Sequence, residues 1–124
     1  MSSEIHSIGI IGAGQMGNGI AQVCALGGFS VLLNDVSQEK INSGLATIDG
    51  NMARDVTRGN LKDADRKAAL SRIQPAASIE DLSDCDLVIE AATENEDVKR
   101  KIFSRLCPVL KPETLLGTNT SSIS

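Results

Sequence analysis

Short apolar runs alternate with stretches of helical periodicity along the chain. The first run, residues 8–11, ends at a glycine-rich segment, and apolar residues then recur at steps of four and three through Met16, Ile20 and Val23. A second run, residues 31–33, precedes a long stretch with the same helical period. Short continuous runs indicate buried strands, and the longer period indicates helices that pack on them. The pattern predicts strand–helix–strand units and a parallel sheet.

The same alternation continues through the second half of the chain. Ser37 is placed to cap a long helix that reaches about Arg58. Pro75 restricts the next short run to a sheet edge because proline has no N–H to donate. Residues 87–92 are apolar on both faces apart from Glu90, as expected of a central strand covered by helices on both sides. A further helix and strand follow, so we expect one α/β domain over residues 1–124.

The composition indicates a small globular domain and argues against nucleic acid as a partner. The chain has 124 residues, of which 41% are hydrophobic and 23% charged, a profile typical of a single soluble domain. Its net charge is −4, and no cluster of lysine and arginine is dense enough to follow a phosphate backbone. Phe29 and Phe103 are its only aromatic residues, too few for a base-stacking surface. A ligand here is held by backbone and small polar groups.

The cysteines and the amino terminus favour a cytoplasmic protein. The chain has three cysteines, an odd number, with no C-x-x-C spacing and only one histidine, His6, that could join them in a metal site. The cysteines are Cys24, Cys85 and Cys107. We therefore expect no metal site and a reducing compartment. The amino terminus has no basic region, and glycine and polar residues interrupt the first apolar stretch, so neither a signal sequence nor a membrane span is expected.

A glycine-rich segment between the first strand and the first helix carries the strongest chemical signal. It is a G-x-G-x-x-G motif, which permits a tight turn, close approach of a pyrophosphate and close packing of helix on strand. Asp35, at the end of the second strand, could accept the ribose hydroxyls of an adenosine and repel a 2′-phosphate. This favours NAD over NADP, although flavin dinucleotides and methyl donors use similar loops. The motif is Gly12-Ala13-Gly14-Gln15-Met16-Gly17.

Two polar clusters follow later strands, at the edge of a parallel sheet where ligands bind. Residues 93–95 precede a helix that carries Lys99, and residues 119–122 follow the last predicted strand. Asn95 could simply cap its helix, with Lys99 a solvated charge and the second cluster a turn. Glu90 is different, because a carboxylate in a buried strand needs either water at the strand end or hydrogen-bonding partners near a ligand.

These segments together resemble the NAD-dependent 3-hydroxyacyl-CoA dehydrogenases of the 3-hydroxybutyryl-CoA type. The resemblance implies a Rossmann-type parallel sheet with helices on both faces, forming the NAD-binding domain of an enzyme that oxidises an L-3-hydroxyacyl-CoA to the 3-ketoacyl-CoA. It implies that NAD lies on the glycine loop with its adenine ribose at Asp35. The matching segments are residues 10–21, 31–35, 86–92, 99–103 and 119–122.

The resemblance also assigns roles to individual residues. Glu94 and Lys99 match residues near the nicotinamide half of NAD, and Ser121 matches a serine that contacts both substrate and cofactor. Asn119 is expected to help Ser121 hold the substrate oxygen. Asn51 and Arg58 match positions that contact coenzyme A. An exposed helix charge is an equally good explanation of Arg58.

In this family the general base is a histidine paired with a glutamate that lies beyond the segment matching residues 119–122. The family's helical C-terminal domain, through which its members form homodimers, follows as well. The sequence ends at Ser124, so we expect this chain alone to be inactive. Two alternatives remain open, a non-catalytic NAD-binding module and the nucleotide domain of another β-hydroxyacid dehydrogenase.

Overall fold

A computed structural model describes residues 4–118, in which strands and helices alternate. The strands are β1 (Ser7–Ile11), β2 (Ser30–Asn34), β3 (Ile73–Ala76), β4 (Leu87–Glu90) and β5 (Leu115–Thr118). The α-helices are α1 (Gln15–Leu26), α2 (Gln38–Thr57), α3 (Asp63–Ser71) and α4 (Glu96–Leu106), and short 3₁₀ turns occupy Ile79–Leu82 and Cys107–Val109.

The five strands form one parallel sheet in the order β3-β2-β1-β4-β5. The order reverses between β1 and β4, which is the switch point at which this class of sheet opens a ligand crevice. Pro75 lies in β3 at the edge of the sheet, as predicted. The Rossmann-type arrangement predicted from the sequence is confirmed.

Hydrophobic side chains form a separate core on each face of the sheet. Helices α1, α2 and α3 cover one face, where Ile10 and Leu33 are fully buried. Helix α4 and the first 3₁₀ turn cover the other, where Leu82, Val88 and Leu106 are fully buried. Because both faces are covered, the central strands are mostly apolar, and Glu90 is the one charged residue of β4.

Strand β4 ends at Glu90, two residues earlier than the apolar pattern predicts. The Glu90 carboxyl accepts hydrogen bonds from the backbone N–H groups of Ala92 (2.7 Å) and Thr93 (2.9 Å). A chain that folds back onto its own carboxyl group no longer presents those donors to a neighbouring strand. The apolar run therefore continues into a turn instead of lengthening the sheet.

Asp86, just before the amino end of β4, ties three parts of the sheet together. Its carboxylate accepts hydrogen bonds from the backbone N–H groups of His6 (2.9 Å) and Ser7 (3.0 Å), and from Lys111 Nζ (2.7 Å). The Lys111 ammonium and these two N–H groups hold the pKa of Asp86 well below its usual range. The ionised carboxylate therefore anchors β1 and the segment before β5 to β4.

We expect Asp86→Asn to remove part of the acid sensitivity of folding. A carboxyl whose pKa is lower in the folded chain than in the unfolded chain stabilises the fold above its unfolded pKa of about 4, and that stability is lost as the pH falls through the folded value. In urea denaturation the variant should be less stable than the parent at pH 7, and the difference should shrink as the pH falls below about 4. An equal difference at every pH would contradict this assignment.

Candidate functional site

The glycine loop between β1 and α1 is held by backbone contacts that a side chain would break. Gly12 has a positive φ of 109° and donates its N–H to the carbonyl oxygen of Asn34 (2.8 Å). A Cβ on Gly12 would lie 2.7 Å from the Cα of Ala92, and one on Gly17 would lie 1.6 Å from the carbonyl oxygen of Gly12. The loop therefore packs against both its own helix and the turn after β4.

Gly14 has a different role, because it is open to space. It is the N-cap residue of α1, with φ −71°, and no side chain caps the helix there. No atom lies within 4 Å of the position that a Cβ on Gly14 would take. The amino end of α1 thus presents backbone N–H groups and the positive end of the helix dipole to an open space, as binding of a pyrophosphate requires.

Asp35 lies immediately after β2, against the glycine loop. Its Oδ2 accepts a hydrogen bond from the N–H of Ala13 (2.7 Å), and its Oδ1 accepts one from the N–H of Val36 (2.6 Å). The residue is half-buried, and each carboxylate oxygen keeps capacity for a further donor. The carboxylate is thus oriented by backbone contacts before any ligand arrives.

A cleft of about 750 Å³ opens above the carboxyl ends of the strands and contains this loop. Of the residues predicted to bind the cofactor, Gly12, Ala13, Gly14 and Asp35 line this cleft, whereas Gln15, Met16 and Gly17 do not. Nine other lining residues among those described were not predicted from the sequence. They are Val36 after β2, Lys40 and Ser43 on α2, Ala77, Ser78 and Ile79 after β3, and Val98, Ile102 and Arg105 on α4.

Residues 77–79 form one wall of the cleft, and an ion pair between Glu80 and Arg105 links this wall to α4. Arg105 donates two hydrogen bonds to Glu80, from Nε at 3.0 Å and from a terminal nitrogen at 2.9 Å, and the Ser78 hydroxyl donates a third at 2.5 Å. The Arg105 guanidinium, with Ser78, lowers the pKa of Glu80 to about 2. The pair therefore stays ionised across the neutral and mildly acidic range and keeps residues 77–79 close to α4.

Glu90 and Lys99 form a buried ion pair beneath the turn after β4. Glu90 is fully buried, only 8% of the Lys99 side chain is exposed, and Lys99 Nζ lies 3.8 Å from Glu90 Oε1. The Thr118 hydroxyl donates to the same carboxylate oxygen (2.8 Å). Lys99 is therefore not the solvated helix charge that the sequence allowed, and Glu90 is held by partners, not by water.

The remaining predicted site residues lie away from the cleft lining or outside the described range. Glu94 is exposed, and Asn95 caps α4 by accepting from the N–H of Val98 (3.1 Å). Asn51 accepts a hydrogen bond from Arg54 on α2, and Arg58 is exposed at the far end of that helix. The glycine loop packs against α2 at Gly44, and Arg58 at the end of that helix is roughly 20 Å further along the axis, so Arg58 is distant from the loop. Asn119 and Ser121 lie outside the described residues.

Two further findings concern the described range as a whole. Within residues 4–118, no three His, Cys, Asp or Glu side chains lie close enough together to hold a metal ion. None of the helices in that range is long and apolar enough to cross a membrane.

Alanine at Gly17 and at Gly14 should affect stability very differently. Gly17→Ala should destabilise the fold by about 3 kcal/mol or more, because its Cβ would overlap a backbone carbonyl that cannot move without breaking the loop. Gly14→Ala should lower the free energy of unfolding by only about 1 kcal/mol or less, because its Cβ meets open space and its φ suits alanine, and only alanine's poorer capping of the helix opposes it. Urea denaturation of both variants checks this. Equal stabilities would show that the loop is looser than described.

Comparison with known proteins supports the interpretation of this site. Residues 7–124 match the family described as 3-hydroxyacyl-CoA dehydrogenase, NAD binding domain. The whole chain is 57% identical to a 3-hydroxybutyryl-CoA dehydrogenase of Bradyrhizobium diazoefficiens and 43% identical to the 3-hydroxyadipyl-CoA dehydrogenase of Escherichia coli K12. It covers 42% and 26% of those two relatives, so it spans less than half of their length.

A solved structure has the same fold as this chain. The (S)-3-hydroxybutyryl-CoA dehydrogenase of Ralstonia eutropha superposes with a TM-score of 0.93 at 43% identity, over 98% of this chain and 43% of that one. The family match gives NAD as the cofactor of this domain. The chain belongs to the 3-hydroxyacyl-CoA dehydrogenase family, of which it carries the NAD-binding domain.

Proposed function

We propose that this domain serves an L-3-hydroxyacyl-CoA dehydrogenase, which interconverts the 3-hydroxyacyl and 3-ketoacyl thioesters of coenzyme A. The observation that carries the proposal is the open backbone at Gly14 in the same cleft as the fixed carboxylate of Asp35. The relatives that match over the whole chain bear the names of enzymes that act on hydroxyacyl-CoA substrates.

The cleft fits NAD in shape and charge. The open amino end of α1 suits the pyrophosphate, and the Asp35 carboxylate suits the two hydroxyls of the adenine ribose. Val36 and Ile79 provide apolar surface for an adenine ring on the Asp35 side of the cleft. A 2′-phosphate would meet the negative charge of Asp35, so the cleft should select NAD against NADP.

NAD, when bound, supplies the acceptor for the hydride that leaves the 3-carbon of the substrate. The chain's own residues bind and orient the two molecules. No histidine lies among the described residues that line the cleft, and His6 precedes β1 at the opposite edge of the sheet. The proton of the 3-hydroxyl should therefore pass to a base outside these residues, which the resemblance identifies as a histidine paired with a glutamate.

Further residues are assigned on the resemblance. Ser121 and Asn119 follow Thr118, the last residue of β5, and we propose that they hold the substrate oxygen. Lys99 and Glu94 would serve the nicotinamide half of the cofactor. On α2, Asn51 and Arg58 would contact coenzyme A, whose length is compatible with a site far from the glycine loop.

A longer protein is proposed as the active form. Leu115 and Leu116 on β5 are 57% and 44% exposed and point to opposite faces of the sheet, which favours further polypeptide packing there. We propose that this polypeptide includes the helical C-terminal domain, that the full-length enzyme is a homodimer, and that it works in the cytoplasm.

The cofactor proposal is tested by calorimetric titration of this chain with NADH and with NADPH. The parent chain should bind NADH with clear preference. Asp35→Ala should weaken NADH binding about tenfold or more, because a charge-assisted hydrogen bond is lost, and should narrow the preference over NADPH. Asp84→Ala, which removes the same charge from an exposed position outside the cleft, is the matched control and should change neither affinity. Stronger binding of NADPH by the parent chain would contradict the proposal.

The substrate proposal is tested on the full-length enzyme with acetoacetyl-CoA and with free acetoacetate. We expect turnover of the thioester, and we expect Arg58→Ala to raise its KM about threefold to tenfold with little change in kcat, as loss of a contact made equally in ground and transition states requires. Turnover of the free acid with no preference for the thioester would favour another β-hydroxyacid dehydrogenase.

A further inference from the structure

Glu90 is a fully buried ionisable group that the proposed mechanism does not use. Its Oε2 accepts the N–H groups of Ala92 (2.7 Å) and Thr93 (2.9 Å), and its Oε1 accepts the hydroxyl of Thr118 (2.8 Å) and faces Lys99 Nζ (3.8 Å). All four neighbours are donors, so both carboxyl oxygens of Glu90 act as acceptors. One side chain thus joins the turn after β4, helix α4 and the end of β5.

The turn after β4, which Glu90 holds, lies on one side of the crevice where a dinucleotide binds. A dinucleotide lies across the point where the strand order reverses, which here is between β1 and β4. Asp35 follows β2, so the adenosine half belongs on that side of the crevice. Ala92 and Thr93 line the cleft on the β4 side, and Ala92 packs directly against Gly12. The turn that Glu90 holds therefore faces the nicotinamide half.

We propose that Glu90 is a positioning residue for the nicotinamide half of the cofactor. It holds the turn of Ala92 and Thr93 and the Lys99 ammonium in place and, being fully buried, does not itself contact the ligand. The inference rests on the proposed function, because it assigns one side of the same cleft. It predicts that loss of the carboxylate weakens binding of the nicotinamide half and spares binding of the adenosine half.

The test is titration of Glu90→Gln with NADH and with ADP, which carries the adenosine half and both phosphates. Glutamine keeps the size of the side chain but replaces one acceptor oxygen by an NH₂ group, which would face either two backbone donors or the Lys99 ammonium. We expect NADH affinity to fall about tenfold and ADP affinity to stay within about twofold of the parent value.

Asp86→Asn is the matched control, because it removes the charge of a carboxylate with a similar set of donors at the other end of β4, outside the cleft. It should lower the thermal midpoint and leave both affinities unchanged. Equal NADH affinity in folded Glu90→Gln and parent chains would overturn the positioning role. Equal losses for NADH and ADP would also overturn it, since they would indicate a structural role only.

A second variant keeps the test decisive if Glu90→Gln does not fold. Thr118→Val removes one donor to the same carboxylate from an exposed position at the sheet edge. It should weaken NADH binding about threefold and leave ADP binding unchanged, and unchanged NADH binding would overturn the inference. Failure of the parent chain itself to bind NADH would instead count against the proposed function, and with it the inference.

Discussion

The geometry of the candidate site depends on how closely the Gly17 backbone approaches the carbonyl oxygen of Gly12. A Cβ at Gly17 would lie 1.6 Å from that oxygen, so helix α1 can begin where it does only because residue 17 has no side chain. This approach brings the amino end of α1 directly over the end of β1. The openness of Gly14, the contact of Gly12 with the turn after β4 and the bond from Ala13 to Asp35 all follow from that placement.

The two ends of β4 illustrate how one kind of interaction can serve two purposes. Asp86 and Glu90 each accept two backbone N–H groups and each face a lysine. Asp86 lies at the amino edge of the sheet, where its contacts hold β1 and the segment before β5 to β4. Glu90 lies at the carboxyl edge, where the backbone that it holds is also the wall of the cleft. The same chemistry stabilises the fold at one edge and shapes the ligand site at the other.

Much of the fold could be predicted from local sequence. The Ser37 cap of α2, the edge position of Pro75 and the close packing of α1 on β1 at the glycine motif each depend on a few neighbouring residues, and each is seen in the structure. Such features follow from backbone chemistry that only a few residue types can satisfy: a side chain that caps a helix, a residue without an N–H donor, or a residue without a side chain.

The rest depended on which polar groups meet in the folded chain. The end of β4 at residue 90 reflects local capture by Glu90 of the N–H groups two and three residues further along, and the burial of Lys99 follows from how α4 packs over that carboxylate. The bond from Arg105 to Glu80, which fixes one cleft wall, joins residues 25 positions apart. Hydrophobic periodicity indicates which face of a helix is buried, but it does not indicate which polar groups that face contacts.

We propose that a dinucleotide lies across the switch point between β1 and β4 and contacts backbone groups of the turns that follow these two strands. A residue-resolved amide NMR titration of this chain with NADH tests this most directly. We expect the largest shifts at Gly12, Gly14, Ala92 and Thr93, on both sides of the switch point. Shifts confined to the amino edge of the sheet, around Ser7 and Asp86, would contradict it.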